Sequence, residues 1–442
     1  MPVVDSKIFF SIGDFRVQSL SYFQLLRQNR NFRNLLAGQF ISELGNWFNF
    51  IAGLGLIRLV SDASPTAAGI FFVCRILPFA VIAPIAGTFV DRFSRRLVMI
   101  ITDLARAVAA LMFLFVDRPE ELWIAYVAMT LLSSLGSFFD GAKNAATPNL
   151  TGREGLLAGT ALMFSTRFLL MAIGSALGGW ASAYFGYKIA FVINAISFVV
   201  SAWTVWLIPE EATRDEATGL KMADKRNRPS FKDELREGIK YTVSNQFALT
   251  ILLMNVLWAI GGGAINIVFE RAGGIDFARR ESINADAAVA ILWTAAGLGL
   301  GLGMMIAHRA SIFLDKKGRN SIFIGASLIL HGVLFAIAGV MPTLLWFAFF
   351  VFVSRLVIGV EYAIQETLFQ RSLPDFIRGR ISTLDRGAEL FVFGLFSYIS
   401  GEAMYYISPF TLTILSGVLS GSAGILWFWR QGLSEPARSA AV

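Results

Sequence analysis

The sequence predicts an all-α integral membrane protein, with twelve transmembrane helices forming two six-helix pseudo-repeats. Hydrophobic residues make up 55% of the 442 residues and charged residues only 16%, against about 25% in an ordinary soluble domain. The apolar residues fall in twelve runs. Each is close in length to the roughly 20 residues that a helix needs to cross a bilayer core. The runs lie near 34–60, 66–89, 97–116, 122–142, 156–183, 187–208, 246–270, 286–308, 320–340, 343–366, 382–406 and 409–429.

A polar stretch between the sixth and seventh runs divides the chain in two. It ends in SFKDELREGIKY, residues 230–241, whose mixture of charged and apolar residues predicts an amphipathic helix on the inner membrane surface. We expect five parts: an N-terminal cytoplasmic segment (1–33), a six-helix bundle (34–208), a cytoplasmic linker (209–245), a second six-helix bundle (246–430) and a cytoplasmic tail (431–442).

The positions of the lysines and arginines predict the orientation. If the N-terminus is inside, most of the 38 basic residues fall in inner segments, and cytoplasmic loops are the ones that carry excess Lys and Arg. We therefore expect both termini to lie in the cytoplasm of a bacterial-type inner membrane. The net charge of +7 then reflects topology and contact with membrane lipids. A nucleic-acid partner is disfavoured, because the chain shows no single basic face and no binding motif.

The stretch GTFVDRFSRR, residues 87–96, stands between the second and third runs. Inward positive charge explains its arginines but neither Gly87 nor Asp91. So short a gap predicts that helices two and three are antiparallel neighbours.

The second half repeats the pattern at SIFLDKKGRN, residues 311–320, where Asp315 and Arg319 correspond to Asp91 and Arg95. This correspondence, with Pro148 and Pro374 ending the fourth run of each half, predicts an internal duplication.

These motifs resemble those of the major facilitator superfamily, over residues 22 to 430. SSLGSFFDGAKNAATPNL, TDLARA and LPDFIRGRISTL are similar to the branch of macrolide-type drug efflux pumps and the enterobactin exporter. The resemblance implies two six-helix halves that face each other across a central cavity and rock about a site near the mid-plane. It also implies that Asp91 meets the start of span eleven when the inner side is closed, where a helix N-terminus favours a carboxylate. The gating residues predicted in this way are Gly87, Asp91, Arg92, Arg95, Arg96, Asp315, Arg319, Gly379 and Arg380.

A substrate or proton-coupling site is expected among the charges inside the spans, because such charges are costly there. Glu43 is the first candidate. Asn46, Trp47 and Phe50 follow it on the same helical face, and a carboxylate beside aromatic rings suits a cationic, apolar ligand. The alternative is a structural ion pair between Glu43 and an arginine of a neighbouring span.

Other charges within the spans have more than one interpretation. Mid-span arginines either neutralise acids such as Glu43 and Glu361 or bind an anionic group of a substrate. Two pairs at i, i+3 predict local ion pairs with structural or gating roles. Glu361 and Glu366 lie near the inner end of span ten, where both are expected to line the gate. Glu361 is also a candidate for substrate binding or proton coupling. The mid-span arginines are Arg75, Arg167 and Arg355, and the two pairs are Asp103 with Arg106 and Arg386 with Glu389.

The sequence shows no constellation that indicates an enzyme. No nucleophile and base are paired in a motif, and His308 and His331 lack ligand-spaced partners, so we expect neither a metal site nor a cofactor. The single cysteine, Cys74, excludes an intrachain disulfide. The run GLGLGLG, residues 297–303, lacks the Lys and Ser/Thr of a phosphate loop and predicts close helix packing.

The predicted function is secondary active transport by a monomer. We expect a proton-coupled exporter of bulky amphipathic small molecules, either drugs in a multidrug antiporter or a siderophore. The first alternative is a lysophospholipid or other lipid flippase of the same fold, in which the in-span arginines meet a phosphate. The remaining alternatives are a membrane enzyme or a sensor on a transporter-like scaffold, and an importer of an unknown solute.

Overall fold

The structure, a computed structural model, describes residues 21–90, 92–213 and 231–432. In these residues the regular secondary structure is helical throughout, and no strand occurs. The long helices are named here α1 to α12 in chain order. We call the end of the bundle that carries the helix Phe231–Ser244 the linker end and the opposite end the distal end.

The first half contains five long helices. A short helix, Tyr22–Gln28, precedes them, and Asn29 caps the helix that begins at Arg30 by accepting a hydrogen bond from the backbone N–H of Phe32. The predicted spans four and five form one element, which is kinked at Gly152 (φ 66°), a conformation that favours glycine. The helices are α1 (Arg30–Val60), α2 (Pro65–Val90), α3 (Arg95–Met112), α4 (Leu122–Phe185) and α5 (Tyr187–Trp206).

The second half begins after the linker helix α6 and contains six long helices. The first of them continues beyond its α-helical part as a π-helical segment, Phe269–Phe277, and a short helix, Ala278–Glu281. The helices are α6 (Phe231–Ser244), α7 (Gln246–Val268), α8 (Ala285–Lys317), α9 (Asn320–Ala338), α10 (Leu344–Ser372), α11 (Asp375–Ala403) and α12 (Pro409–Gln431).

Eleven helices of the described residues are long and apolar enough to cross a membrane. They include the two parts of α4 on either side of Gly152, Pro119–Gly152 and Glu154–Phe185. The number of helices that are apolar enough to span a membrane is therefore one fewer than the predicted twelve. The missing one is α11, which has 29 residues but carries Asp385, Arg386 and Glu389 in its interior.

Helix packing repeats between the halves. Span one packs on spans five and six in the first half, and span seven packs on spans eleven and twelve in the second. Across the interface, α2 packs on α11 and α8 packs on the second part of α4. These two contacts are equivalent if the halves are related by a two-fold axis, so the packing agrees with the predicted pseudo-repeat.

The prediction that helices two and three are antiparallel neighbours is wrong. The turn does join them, since α2 ends at Val90 and α3 begins at Arg95. However, α2 packs on α4 and α11, whereas α3 packs on α4 and α5. A short turn fixes only the adjacent ends of two helices, and α2 leaves its neighbour to reach the other half.

The buried core differs between the two ends. At the distal end one continuous apolar cluster includes residues of both halves, such as Phe50, Phe72, Phe269 and Trp293. At the linker end each half has its own cluster, around Phe32 and Met99 in the first half and around Ile251 and Trp427 in the second. The halves are thus packed together distally and separated at the linker end.

Candidate substrate cavity and gates

A cavity of about 1010 Å³ lies between the halves on the linker side. One wall is the second part of α2, from Phe79 to Gly87, and the other is formed by α10 and the first part of α11. A side chain placed at Gly87 or at Gly379 would have no atom within 4 Å. The two predicted gating glycines therefore line one cavity from opposite halves without contact.

Three carboxylates line the α10 and α11 side of this cavity: Glu366, Asp385 and Glu389. We call them the acidic wall. Asp385 Oδ2 accepts a hydrogen bond of 2.9 Å from the Asn255 side chain, whose own oxygen accepts one of 2.9 Å from Gln365. The acidic wall is therefore held by polar contacts among α7, α10 and α11.

In the first half, Glu43 lies on α1 with the aromatic residues that were predicted to share its helical face. The Trp47 and Phe50 rings stand edge to face at 5.4 Å, and Asn46 on that face is partly buried. The Arg75 guanidinium lies 4.0 Å from the centre of the Phe50 ring and 5.4 Å from that of Trp47. Glu43 interacts electrostatically with Arg75, so both the coupling role and the structural ion pair stay open.

Arg167 and the pair Asp103–Arg106 extend this charged region. Arg167 is exposed and interacts electrostatically with both Arg75 and Asp140. Asp103 and Arg106 form a buried ion pair on α3, as their spacing predicts. The Arg106 guanidinium also lies between two phenyl rings of neighbouring helices, at 4.5 Å from Phe139 and 4.4 Å from Phe198.

Arg355 and Glu361 on α10 are buried in the second half, 7% and 1% exposed. In the described part of the chain no ion pair joins them to each other or to another residue, and one side-chain atom of each, Arg355 Nε and Glu361 Oε1, is buried without a hydrogen bond. Arg355 interacts electrostatically with His331. Among the described residues no acid forms an ion pair with Arg355 in this conformation, so both predicted roles, neutralising an acid and binding an anionic group of a substrate, stay open.

The distal end is closed by a cluster of charges that joins the halves. Arg58 of α1 forms an ion pair of 2.6 Å with Glu270 of the π-helical segment and another with Asp286 of α8. The three side chains are 11%, 4% and 7% exposed. We call Arg58, Glu270 and Asp286 the distal ion cluster. A further bond of 2.7 Å joins Thr66 of α2 to Glu402 of α11.

The predicted gating residues at the linker end make contacts within one half. Arg95 donates to the carbonyl oxygens of Ala145 at 3.0 Å and Thr213 at 3.1 Å, and Arg96 donates to that of Trp206. Arg92 and Arg319 are exposed. Asp91 lies outside the described residues.

Three further predicted residues lie in the second half. Arg380 forms an ion pair with Glu237 of α6. Arg386 forms its predicted pair with Glu389 at 2.8 Å, and Asp315 accepts a bond of 2.6 Å from Asn320.

Sequence reasoning missed the distal ion cluster and gave Asp385 no role. The predicted topology places the outer ends of spans one, seven and eight on one surface, with Arg58 near the first end and acids near the other two. That signal was present, but it does not specify which charges meet. Asp385 stands in an otherwise polar half-helix, so the sequence does not separate it from its charged neighbours.

The chain is similar to known proteins over much of its length. It is 29% identical over 233 residues to the uncharacterized MFS-type transporter YfiS of Bacillus subtilis, covering 52% of this chain and 53% of YfiS, about half the length of that relative. It is 24% identical over 361 residues to macrolide efflux protein A of Streptococcus pyogenes, covering 80% and 81%.

The fold is also found among solved structures. The inward-facing, unoccupied crystal structure of a bacterial homologue of the human lysosomal transporter Spinster has a TM-score of 0.69 at 12% identity and covers 94% of this chain and all of the other. The family model described as Major Facilitator Superfamily matches residues 35–388. The chain therefore belongs to the major facilitator superfamily of multi-pass membrane transporters.

Proposed function

We propose that this transporter is a proton-coupled exporter of bulky amphipathic small molecules that works by alternating access. The observation that carries the proposal is a large cavity between the halves that is open at the linker end and closed distally by the distal ion cluster. Because the linker end is predicted to be cytoplasmic, the conformation is one that accepts cargo from inside. The similarity to macrolide efflux protein A supports export of drug-like molecules.

Proton coupling requires a carboxyl group that can exchange a proton and reach the cavity. Glu43 is proposed for this role, because Arg75 on the neighbouring helix interacts with its charged form. Protonation of Glu43 would remove that attraction and free Arg75. Glu361 is a second acid to consider, since a buried carboxylate without a cation is costly.

The proposal is tested by efflux from cells that lack their own pumps. A panel of fluorescent organic cations is loaded, and efflux is followed with and without a protonophore. Export driven by protons should collapse with the protonophore, and Glu43→Gln should abolish it at normal expression. Glu120→Gln, at an exposed carboxylate of the distal end, is the matched control and should export normally. Undiminished active efflux in Glu43→Gln would remove Glu43 as the coupling acid.

A lipid carrier is the second candidate, and one observation favours it. A groove of about 840 Å³ lies between α4, α8 and α10 near the distal end. It is lined by Trp180, Tyr184 and Phe349, which are about half or more exposed, so its apolar side is accessible from the bilayer. Movement of a fluorescent lysophospholipid between leaflets of liposomes, without a proton gradient, would favour this candidate over the exporter.

A further inference from the structure

The acidic wall carries more negative charge than its cations neutralise. Of its three carboxylates, Glu389 forms an ion pair of 2.8 Å with Arg386. Glu366 accepts a hydrogen bond of 2.6 Å from the neutral side chain of Gln370. In the described part of the chain, neither Glu366 nor Asp385 has an ion-pair partner within 4.0 Å. Among the described residues, the acidic wall thus contains two acids without an ion-pair partner.

Arg380 does not remove this excess. It lines the same cavity, but its guanidinium pairs with Glu237 of the linker helix α6. The opposite wall, from Phe79 to Gly87 on α2, contributes aromatic and small residues. Arg386 also lines the cavity and interacts electrostatically with Asp385, but its ion pair is with Glu389, so one cation lies beside three carboxylates.

Asp385 is the carboxylate of the acidic wall whose surroundings best fit a role in binding a ligand. Its residue is 7% exposed, and its Oδ2 is fixed by the Asn255 side chain at 2.9 Å. Its Oδ1 is buried without a hydrogen-bond partner and lies in a residue that lines the cavity. Burying an unpaired carboxylate oxygen in a membrane protein is costly, so this oxygen indicates a group that binds there.

The surroundings specify the kind of cation. Phe79, Tyr362 and Phe369 line the same cavity, and aromatic rings attract organic cations through their faces. An alkali cation would be held by a cage of oxygen ligands, whereas about 1010 Å³ accommodates a bulky organic molecule. An amphipathic organic cation satisfies both the acids and the rings.

We propose that the acidic wall is the substrate site for the positive charge of an amphipathic organic cation, with Asp385 as its principal binding carboxylate. This inference rests on the proposed export function and places the cation on the second half, away from Glu43. Proton coupling and cation binding are then performed by carboxylates of different halves.

The test is binding to the purified, full-length protein in phospholipid nanodiscs, with tetraphenylphosphonium as the probe. We expect Asp385→Asn to weaken binding at least tenfold. Glu154→Gln removes an exposed carboxylate at the linker end and should bind like the unaltered protein. Because this assay needs no transport, failed efflux in cells and failed binding here are separate results.

Three outcomes would overturn the proposal. They are unchanged binding by Asp385→Asn, no binding of tetraphenylphosphonium by the unaltered protein, and displacement of the probe by millimolar sodium or potassium, which would indicate an alkali-cation site. Thermal unfolding of each variant verifies its fold. If Asp385→Asn does not fold, Glu366→Gln decides, since it removes the other unpaired acid of the wall. We expect Glu366→Gln to bind tetraphenylphosphonium more weakly, and unchanged binding by this variant would overturn the proposal.

Discussion

Replacing Arg58 with alanine should open the distal end. The substitution leaves Glu270 and Asp286 buried without their cation, whereas in a conformation open at this end water would hydrate both. Removing one partner of a buried ion pair costs about 3–5 kcal/mol, against about 0–1 kcal/mol for an exposed pair. The exposures of 11%, 4% and 7% place this cluster in the buried class.

The change in conformation follows from that free energy. Because about 1.4 kcal/mol is a factor of ten in an equilibrium constant, the ratio of distally closed to distally open molecules should fall by roughly two to four orders of magnitude. Arg58→Lys keeps one positive charge but cannot bridge two carboxylates as a planar guanidinium does, so its effect should be smaller. Restoring neutrality with Glu270→Gln and Asp286→Asn in the Arg58→Ala background should recover part of the closed population.

The assay is a distance measurement between spin labels in a background in which the single cysteine is replaced, Cys74→Ser. Labels at Glu120→Cys and Arg279→Cys, both exposed at the distal end, report on its opening. Arg118→Ala, at an exposed arginine of the same end, is the matched control. An Arg58→Ala distance distribution identical to that of the control would refute the idea that the distal ion cluster holds this end closed.

Three further predictions concern stability in detergent, measured as the free energy of unfolding. Asp103→Asn should cost about 3–5 kcal/mol, because it removes the partner of a buried arginine. Asp117→Asn, in an exposed pair with Lys188, should cost less than about 1 kcal/mol. Equal losses of unfolding free energy in the two variants would contradict the prediction. Gly303→Ala should destabilise the protein, since a Cβ there would lie 3.0 Å from the Gly359 Cα. At Gly301 an added Cβ would meet only the Phe168 Cβ, at 3.6 Å. Gly301→Ala should therefore be neutral or stabilise the protein by about 1 kcal/mol. Trp427→Phe should cost about 1–3 kcal/mol through loss of the 2.8 Å bond to the Ser321 carbonyl oxygen, whereas Trp429→Phe, 78% exposed, should change little.

Much of the fold could be predicted from the sequence, because hydrophobic length and loop charge are local properties. The runs gave helices close to their predicted bounds, and the glycine run 297–303 packs as expected, with Gly297 against Ala172 and Gly299 against Phe352. Gly152 was not recognised as a kink that joins two spans. The packing of α2 on α11 was also missed, because it depends on how the halves meet.

The candidate site was less predictable for the same reason. Pairs at i, i+3 such as Arg386–Glu389 are set by helix geometry and could be predicted from spacing alone. Arg58 meets Glu270 and Asp286 across more than two hundred positions of sequence. Such a contact depends on the conformation of the transporter, and no local pattern encodes it.

Under the proposed alternating-access mechanism, the two ends of the transporter are held closed by similar free energies. Alternating access populates both conformations, so the interactions that break when the distal end opens have to be matched within a few kcal/mol by interactions that form at the linker end. In this structure Gly87 and Gly379 face open space, and Arg380 pairs with the linker helix. The predicted meeting of Asp91 with the start of α11 would supply the compensating interactions.

Weakening both ends together should therefore restore the balance that either change alone disturbs. In the same spin-label assay, Asp91→Asn alone should favour the distally closed state, and adding it to Arg58→Ala should return the distance distribution towards that of the unaltered protein. A double variant as open distally as Arg58→Ala would show that Asp91 does not stabilise the opposite conformation. The compensating interactions would then lie elsewhere on the cavity rim.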